Sequence, residues 1–224
     1  VVEQANKKGI DVRDTQEIVS SEDSEYFSQT PDYIFSINST FIFPEELLST
    51  PTVGCLNMHP GKLPEYAVMY AHQWALINGE EEFGATLHWM TPDIDAGPIA
   101  YQETFPITDD TGLELFLRTI DTGAELVSRA LKQISNGESP PSKQQNTANR
   151  HLYTLDDLPG GEINWSLSSQ DIFNFVRAAD YRPFEPPTYE PYFQVDETTV
   201  YIQDVEMIDL DETMPGQIHT LGNS

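Results

Sequence analysis

The chain of 224 residues holds one cysteine, Cys55, and only 11 lysines and arginines against 37 aspartates and glutamates, a formal net charge of −26. A lone cysteine excludes an intrachain disulfide and leaves no C-x-x-C pair for a metal, so a reducing, cytoplasmic setting is expected. The scarcity of cations argues against a nucleic-acid partner, whose affinity comes largely from Lys and Arg displacing counterions. No apolar run approaches the ~20 residues that a membrane span requires, and no basic-then-apolar leader opens the chain. Neither G-x-G-x-x-G nor G-x-x-x-x-G-K-[ST] occurs, so the loops that cradle a dinucleotide or a nucleoside triphosphate are missing. His59, His72 and His88 lack the spacing of a metal site, and no metal is expected. The acidity reads as a solvated, self-repelling surface suited to solubility or high salt, the alternative being a patch for a cationic partner.

What is present is a globule's composition: 38 % hydrophobic residues, with 11 Phe, 10 Tyr and 3 Trp to fill a core. The opening "VVEQANKKGIDV" reads as the tail of an amphipathic helix, stopped at Gly9, and a short extended segment; an acidic, serine-rich stretch follows from Ser20 to Ser28. "PDYIFSIN" and "TVGCLNMHP" are apolar runs bounded by prolines and polar residues, hence buried strands. Between them "STFIFPEELLS" gives a loop and a turn or two of helix from Pro44. The spacing predicts a helix from Tyr66 to Asn78, strands in "GATLHWM" and "GPIAYQETFPI", and a long amphipathic helix from Thr111 to Ile134. Strands alternating with helices predict an α/β layered sheet.

Residues 136–149, "NGESPPSKQQNTAN", are polar with paired prolines and read as a linker. The expected organisation is a catalytic domain over 1–137, a linker over 138–149 and a small C-terminal domain over 150–224. In the last, a helix from about Ser168 to Ala179, a proline-rich turn and two antiparallel strands in "YFQVDETTVYIQDVEMIDL" are predicted.

The stretch "CLNMHPGKLPEY" carries the chemistry. On a strand, Asn57 and His59 project to one side and Met58 to the other, and Pro60-Gly61 marks the strand's carboxyl end, where open α/β sheets bind ligands. Asp95, within the turn "PDIDAGPI", is the third candidate, with Asp93 as its competitor. An aspartate bonded to a histidine favours the imidazolium and is expected to raise its pKa, giving a proton relay beside an amide donor for an oxyanion. Each signal alone also fits a structural role: a satisfied histidine, a turn-forming D-x-D. Together the three fit acyl transfer without a protein nucleophile, metal or phosphate loop. Cys55 shares their face but sits among apolar neighbours, as a core thiol would, and His88 is a pocket candidate or a packed core histidine.

"LNMHPGKLPEY", "QWALINGEEEFGATLHWMTPDIDAGPIAYQE" and "GGEINWSLSSQDIFNFVRAADYRPF" resemble the folate-dependent formyltransferases. That group includes methionyl-tRNA formyltransferase, glycinamide ribonucleotide transformylase and the sugar and peptide-synthetase N-formyltransferases. The joint signature is N-x-H-P-x-x-L-P with D-x-G-x-I some 35 residues on, and the likeness spans about residues 30–210. It implies a Rossmann-like open sheet with a small α+β or β-barrel-like C-terminal domain. It also implies 10-formyltetrahydrofolate as formyl donor and the catalytic trio Asn57, His59 and Asp95. The folate pocket is implied to lie between two loops, one contributing Thr40, Phe41, Ile42 and Phe43, the other Met90, Thr91, Asp93 and Ile94.

Three departures accompany the resemblance. The βαβ stretch with which the family usually begins does not precede Val1, so the amino-terminal strands are expected to be missing. Ala67-Val68 stand where relatives commonly carry Arg-Gly, and the C-terminal barrel is expected to be cut short. The acceptor implied is the primary amine of a small or carrier-bound molecule, an amino sugar nucleotide or an aminoacyl group. Initiator methionyl-tRNA is the second reading, since tRNA favours a basic face; a hydrolase releasing formate, or an inactive fragment, is the third. Arg177 and Arg182 are candidates for an acceptor phosphate or for surface ion pairs. A homodimer is compatible with all of these.

Overall fold

The computed structural model describes residues 2–10, 12, 30–67, 69–146, 148, 150–154 and 157–207. The serine-rich stretch at 20–28, Val68 of the Ala67-Val68 departure and the segment from 208 onward lie outside the described residues. Helix α1 (Val2–Lys7) precedes strand β1 (Tyr33–Ile37), the short helix α2 (Glu45–Leu48) and strand β2 (Gly54–His59). Then come β3 (Tyr66–Ala67), α3 (Ala71–Ile77), β4 (Glu82–Trp89), β5 (Ile99–Pro106) and the long helix α4 (Gly112–Ser135). Beyond it lie β6 (His151–Leu152), α5 (Ser169–Ala178) and the hairpin β7 (Tyr192–Val195) and β8 (Thr198–Tyr201).

The main sheet has the order β1-β2-β4-β5, with β1 and β2 parallel and β4 antiparallel to both its neighbours. Three of the four strands therefore run one way in an open, mixed α/β sheet. A register shift between Leu87 and His88 makes a bulge in the β4–β5 pairing, a device that re-aims side chains next to sites. Helix α4 is fixed at its start by a capping box between Thr111 and Glu114. Its buried face, including Leu126, Val127 and Ala130, packs on Leu56 and Met58 of β2 and Ala85 and Leu87 of β4. Gly123 lets the helix close on Met58: a Cβ there would stand 2.4 Å from the Met58 sulfur.

The expected helix from Tyr66 starts late. Tyr66 and Ala67 are extended and pair with His151 and Leu152, and Tyr70, at φ 56°, is left-handed, a conformation a helix interior does not contain. Segment 136–149 is not loose either: Lys143 pairs with Ile99, and the Trp89 indole donates to the Pro141 carbonyl at 2.8 Å. After residue 150, α5, capped by Ser168 and Asp171, packs with Ile163 and Tyr189 beside the β7–β8 hairpin. The described residues of this part contain no closed barrel.

Candidate active site

Strand β2 divides its side chains between two jobs. Leu56 and Met58 point into the core under α4, so by the alternation of a strand Asn57 and His59 emerge on the opposite face at the strand's end. The following turn is pressed against the imidazole, where a Cβ at Gly61 would lie 2.4 Å from His59 Nε2 and 2.8 Å from the Tyr66 carbonyl. Thr86 and Gln102 hold that turn. The Thr86 hydroxyl donates to the Gly61 carbonyl at 2.7 Å and accepts from the Leu63 amide at 3.2 Å, while Gln102 donates to the Leu63 carbonyl at 2.7 Å.

Asn57, His59 and Asp95 converge. Asp95 Oδ2 lies 3.6 Å from His59 Nδ1, and Asp95 Oδ1 lies 3.4 Å from Asn57 Nδ2. Asp95 reaches inward from a turn at φ 49°, a left-handed conformation that Asp tolerates better than most residues. His59 Nε2 is 2.7 Å from the Tyr66 carbonyl, which can only accept, so Nε2 carries the proton and Nδ1 of the neutral ring faces Asp95. A fourth side chain completes the group: His88 Nε2 is 3.1 Å from Asn57 Nδ2 and 3.4 Å from Asp95 Oδ1.

The electrostatics differ from the expected ones. Burial holds His59 below the ordinary histidine range; the Asp95 carboxylate and the Tyr66 carbonyl pull the other way, and His88 adds to the lowering. Desolvation thus outweighs the carboxylate and favours a neutral imidazole rather than a standing imidazolium. Cys55 is buried with its thiol pushed up by desolvation, the behaviour of a core residue rather than a nucleophile.

The group forms one wall of a cavity of about 510 Å³, within the usual range for small-molecule sites. Thr40, Phe41, Ile42 and Phe43 line it, as do Met90, Thr91, Asp93, Ile94 and His88. The Phe41 and Phe43 rings stand 5.7 Å apart. Toward α3 the wall continues through Met69, Tyr70, His72, Phe116 and Tyr181. There His72, hydrogen-bonded to the Tyr181 hydroxyl, is held neutral by burial, its pKa pushed down to about 3. Arg177 and Arg182 do not line this cavity: Arg177 binds the Thr108 carbonyl at 2.7 Å and Arg182 pairs with Asp180 at 2.6 Å.

His88, Thr86 and Gln102 are the supporting residues that spacing arguments passed over or left open. A signal existed: Thr86 and His88 are polar residues two apart in an otherwise apolar strand, the same pattern that exposes Asn57 and His59. Among the described residues no group of His, Cys, Asp and Glu could hold a metal ion, and no helix is long and apolar enough to cross a membrane.

The model of the formyl transferase family matches residues 1–131. The chain is 33% identical over 167 residues to a methionyl-tRNA formyltransferase of Clostridium perfringens, covering 74% of this chain and 54% of that protein. It is 30% identical over 191 residues to the protein of the same name from Clostridium tetani, covering 84% and 59%. The chain thus spans little more than half the length of these curated relatives. A 4-N formyltransferase from Francisella tularensis superposes with a TM-score of 0.72 at 22% identity, over 92% of this chain and 82% of that one. A sugar N-formyltransferase from a Shewanella species superposes with a TM-score of 0.63 at 25% identity, over 80% and 71%. The first of these likenesses speaks for the fold alone. The family model covers 131 of 224 residues, and the chain belongs to the formyl transferase family.

Proposed function

We propose that this chain carries the site for transfer of a formyl group from 10-formyltetrahydrofolate to a primary amine. The observation that carries the reading is the convergence of Asn57, His59 and Asp95 on one wall of a cavity whose other walls are the two loops expected to hold folate. The lining suits such a donor, since Phe41, Ile42, Phe43 and Met90 offer apolar surface for a flat ring and Thr91 and Asp93 offer polar edges. The folate supplies an activated one-carbon unit and a nitrogen that leaves once protonated.

His59 is neutral with its unprotonated Nδ1 beside Asp95, so it takes the proton that the attacking amine sheds and later delivers it to the leaving nitrogen. Asp95, 3.6 Å from that atom, sustains the imidazolium while it lasts. Asn57 Nδ2 has one hydrogen on His88 Nε2; its contact with Asp95 Oδ1, at 3.4 Å, is longer than a usual N–H···O bond. That second hydrogen, within reach of Asp95 Oδ1 at rest, is the one able to turn to the charge developing on the formyl oxygen.

For the acceptor we favour an amino sugar nucleotide or a carrier-bound aminoacyl group, in keeping with the likeness to the Shewanella sugar N-formyltransferase and with a charge of −26. The identity to methionyl-tRNA formyltransferases supports initiator methionyl-tRNA as the second reading. An acceptor screen with 10-formyltetrahydrofolate, with His59→Ala as control, tests the proposal. Transfer to any amine that disappears in the variant supports it; formate release at the same rate with no amine present makes the chain a hydrolase instead. Absence of both transfer and folate binding overturns the enzyme reading.

A further inference from the structure

The geometry points to Gln145, in the segment that follows α4, as a positioning residue that clamps the Asp95 loop from outside the cavity; the inference rests on the formyl-transfer reading above. Its carboxamide nitrogen donates to two carbonyls of one turn, that of Asp95 at 3.0 Å and that of Gly97 at 2.6 Å. The Arg150 guanidinium adds a bond to the Ile94 carbonyl. Three carbonyls around the carboxylate, those of Ile94, Asp95 and Gly97, are thereby held by residues about 50 positions on in sequence.

Asp95 needs such holding. Its φ of 49° is a sparsely populated left-handed conformation even for an aspartate, and its carboxylate faces His59 and Asn57. Gln145 is itself anchored. Lys143, two residues before it, makes both backbone hydrogen bonds with Ile99, at 2.8 and 2.9 Å, and Pro141 accepts the Trp89 indole N–H. Gln145 does not line the cavity, so whatever it contributes to transfer passes through Asp95.

The role demands a donor. Gln145→Glu keeps the shape of the side chain but sets a carboxylate against two carbonyl oxygens; Gln145→Ala removes the clamp without repulsion. In the full chain, either change is expected to lower kcat by between about 10-fold and about 100-fold while the KM for folate moves by less than about threefold. The second readout is the titration of the His59 ring by NMR, which needs no substrate. Among the groups facing His59, Asp95 and the Tyr66 carbonyl favour its charged form and His88 opposes it, so withdrawing the Asp95 carboxylate shifts the titration to lower pH.

A merely structural glutamine would lower the melting temperature and the active fraction without moving that titration. Wild-type kcat in both variants overturns the inference, as does a lowered kcat with the His59 titration unmoved. Should the wild-type chain transfer no formyl group, the formyl-transfer reading fails, and the NMR shift still decides whether Gln145 sets the Asp95–His59 relationship.

Discussion

His88 Nε2 accepts a hydrogen bond from Asn57 Nδ2 at 3.1 Å because the other nitrogen of the ring, Nδ1, is 2.9 Å from the Trp89 carbonyl and must carry the proton. This fixes the histidine tautomer and, through it, which end of the Asn57 amide faces the cavity. The proposed oxyanion donor is thus oriented by a residue on the neighbouring strand rather than by its own.

Replacing His88 tests that orientation. His88→Ala leaves the amide free to rotate and is expected to lower kcat by between about 10-fold and about 100-fold, the scale of a lost buried hydrogen bond. His88→Gln, which offers an acceptor in the same direction, should lose less. Steady-state kinetics of the two variants decide it: equal losses, or none, would mean that the His88–Asn57 bond does not serve transfer.

Asn57→Ala should lower kcat by about 10²–10³-fold, the range for removal of one oxyanion donor. Asn57 is only half-buried at the sheet's rim, so the circular dichroism spectrum and the affinity for a folate analogue in a fluorescence titration should stay close to wild type. Loss of analogue binding in step with kcat would instead place the amide in folate recognition.

The pH dependence has a definite sign. The proposed base is neutral His59, and burial holds it below its ordinary value of 6.5, so kcat/KM should fall only when the pH drops beneath 6.5. In Asp95→Asn the main group favouring the charged ring is gone, and the acid limb should move to still lower pH. A pH–rate profile whose acid limb lies above 6.5 would contradict the assignment of His59 as a neutral base.

Stability should show its own pH window. His72 has a folded pKa of about 3 against 6.5 for a free ring, so below 6.5 the unfolded chain binds a proton that the folded chain refuses. His59, also lowered, acts in the same sense. Each such group makes stability fall by up to about 1.4 kcal/mol per pH unit as the pH drops from 6.5 toward the folded value. Urea denaturation at a series of pH values should show His72→Phe with a shallower decline than the parent chain.

Much of this was legible from local pattern. The strands β1, β2, β4 and β5 fall where apolar runs meet Pro and Gly, and α4 begins at Thr111 because the Thr111–Glu114 capping box is itself written in sequence. Asn57 and His59 could be paired because alternation on β2 needs no tertiary information, whereas Asp95 came from its D-x-D turn and the family resemblance. What stayed hidden depends on distant partners. Tyr66 and Ala67 are extended only because His151 and Leu152 lie beside them, and Gln145 looks like linker until the Asp95 turn is seen against it. The direction of the His59 shift followed from how deeply the ring is enclosed, which no spacing encodes.

Asn57 and His88 are also directly opposed partners in the β2–β4 ladder. Sliding one strand by a single position would turn every side chain of that strand over, sending Leu87 to where His88 now stands and dismantling the site and the packing under α4 together. A misaligned chain would therefore betray itself twice, as a dead catalyst and as a poorly filled interior. Screening variants for turnover alone would, without further effort, also screen them for correct strand alignment.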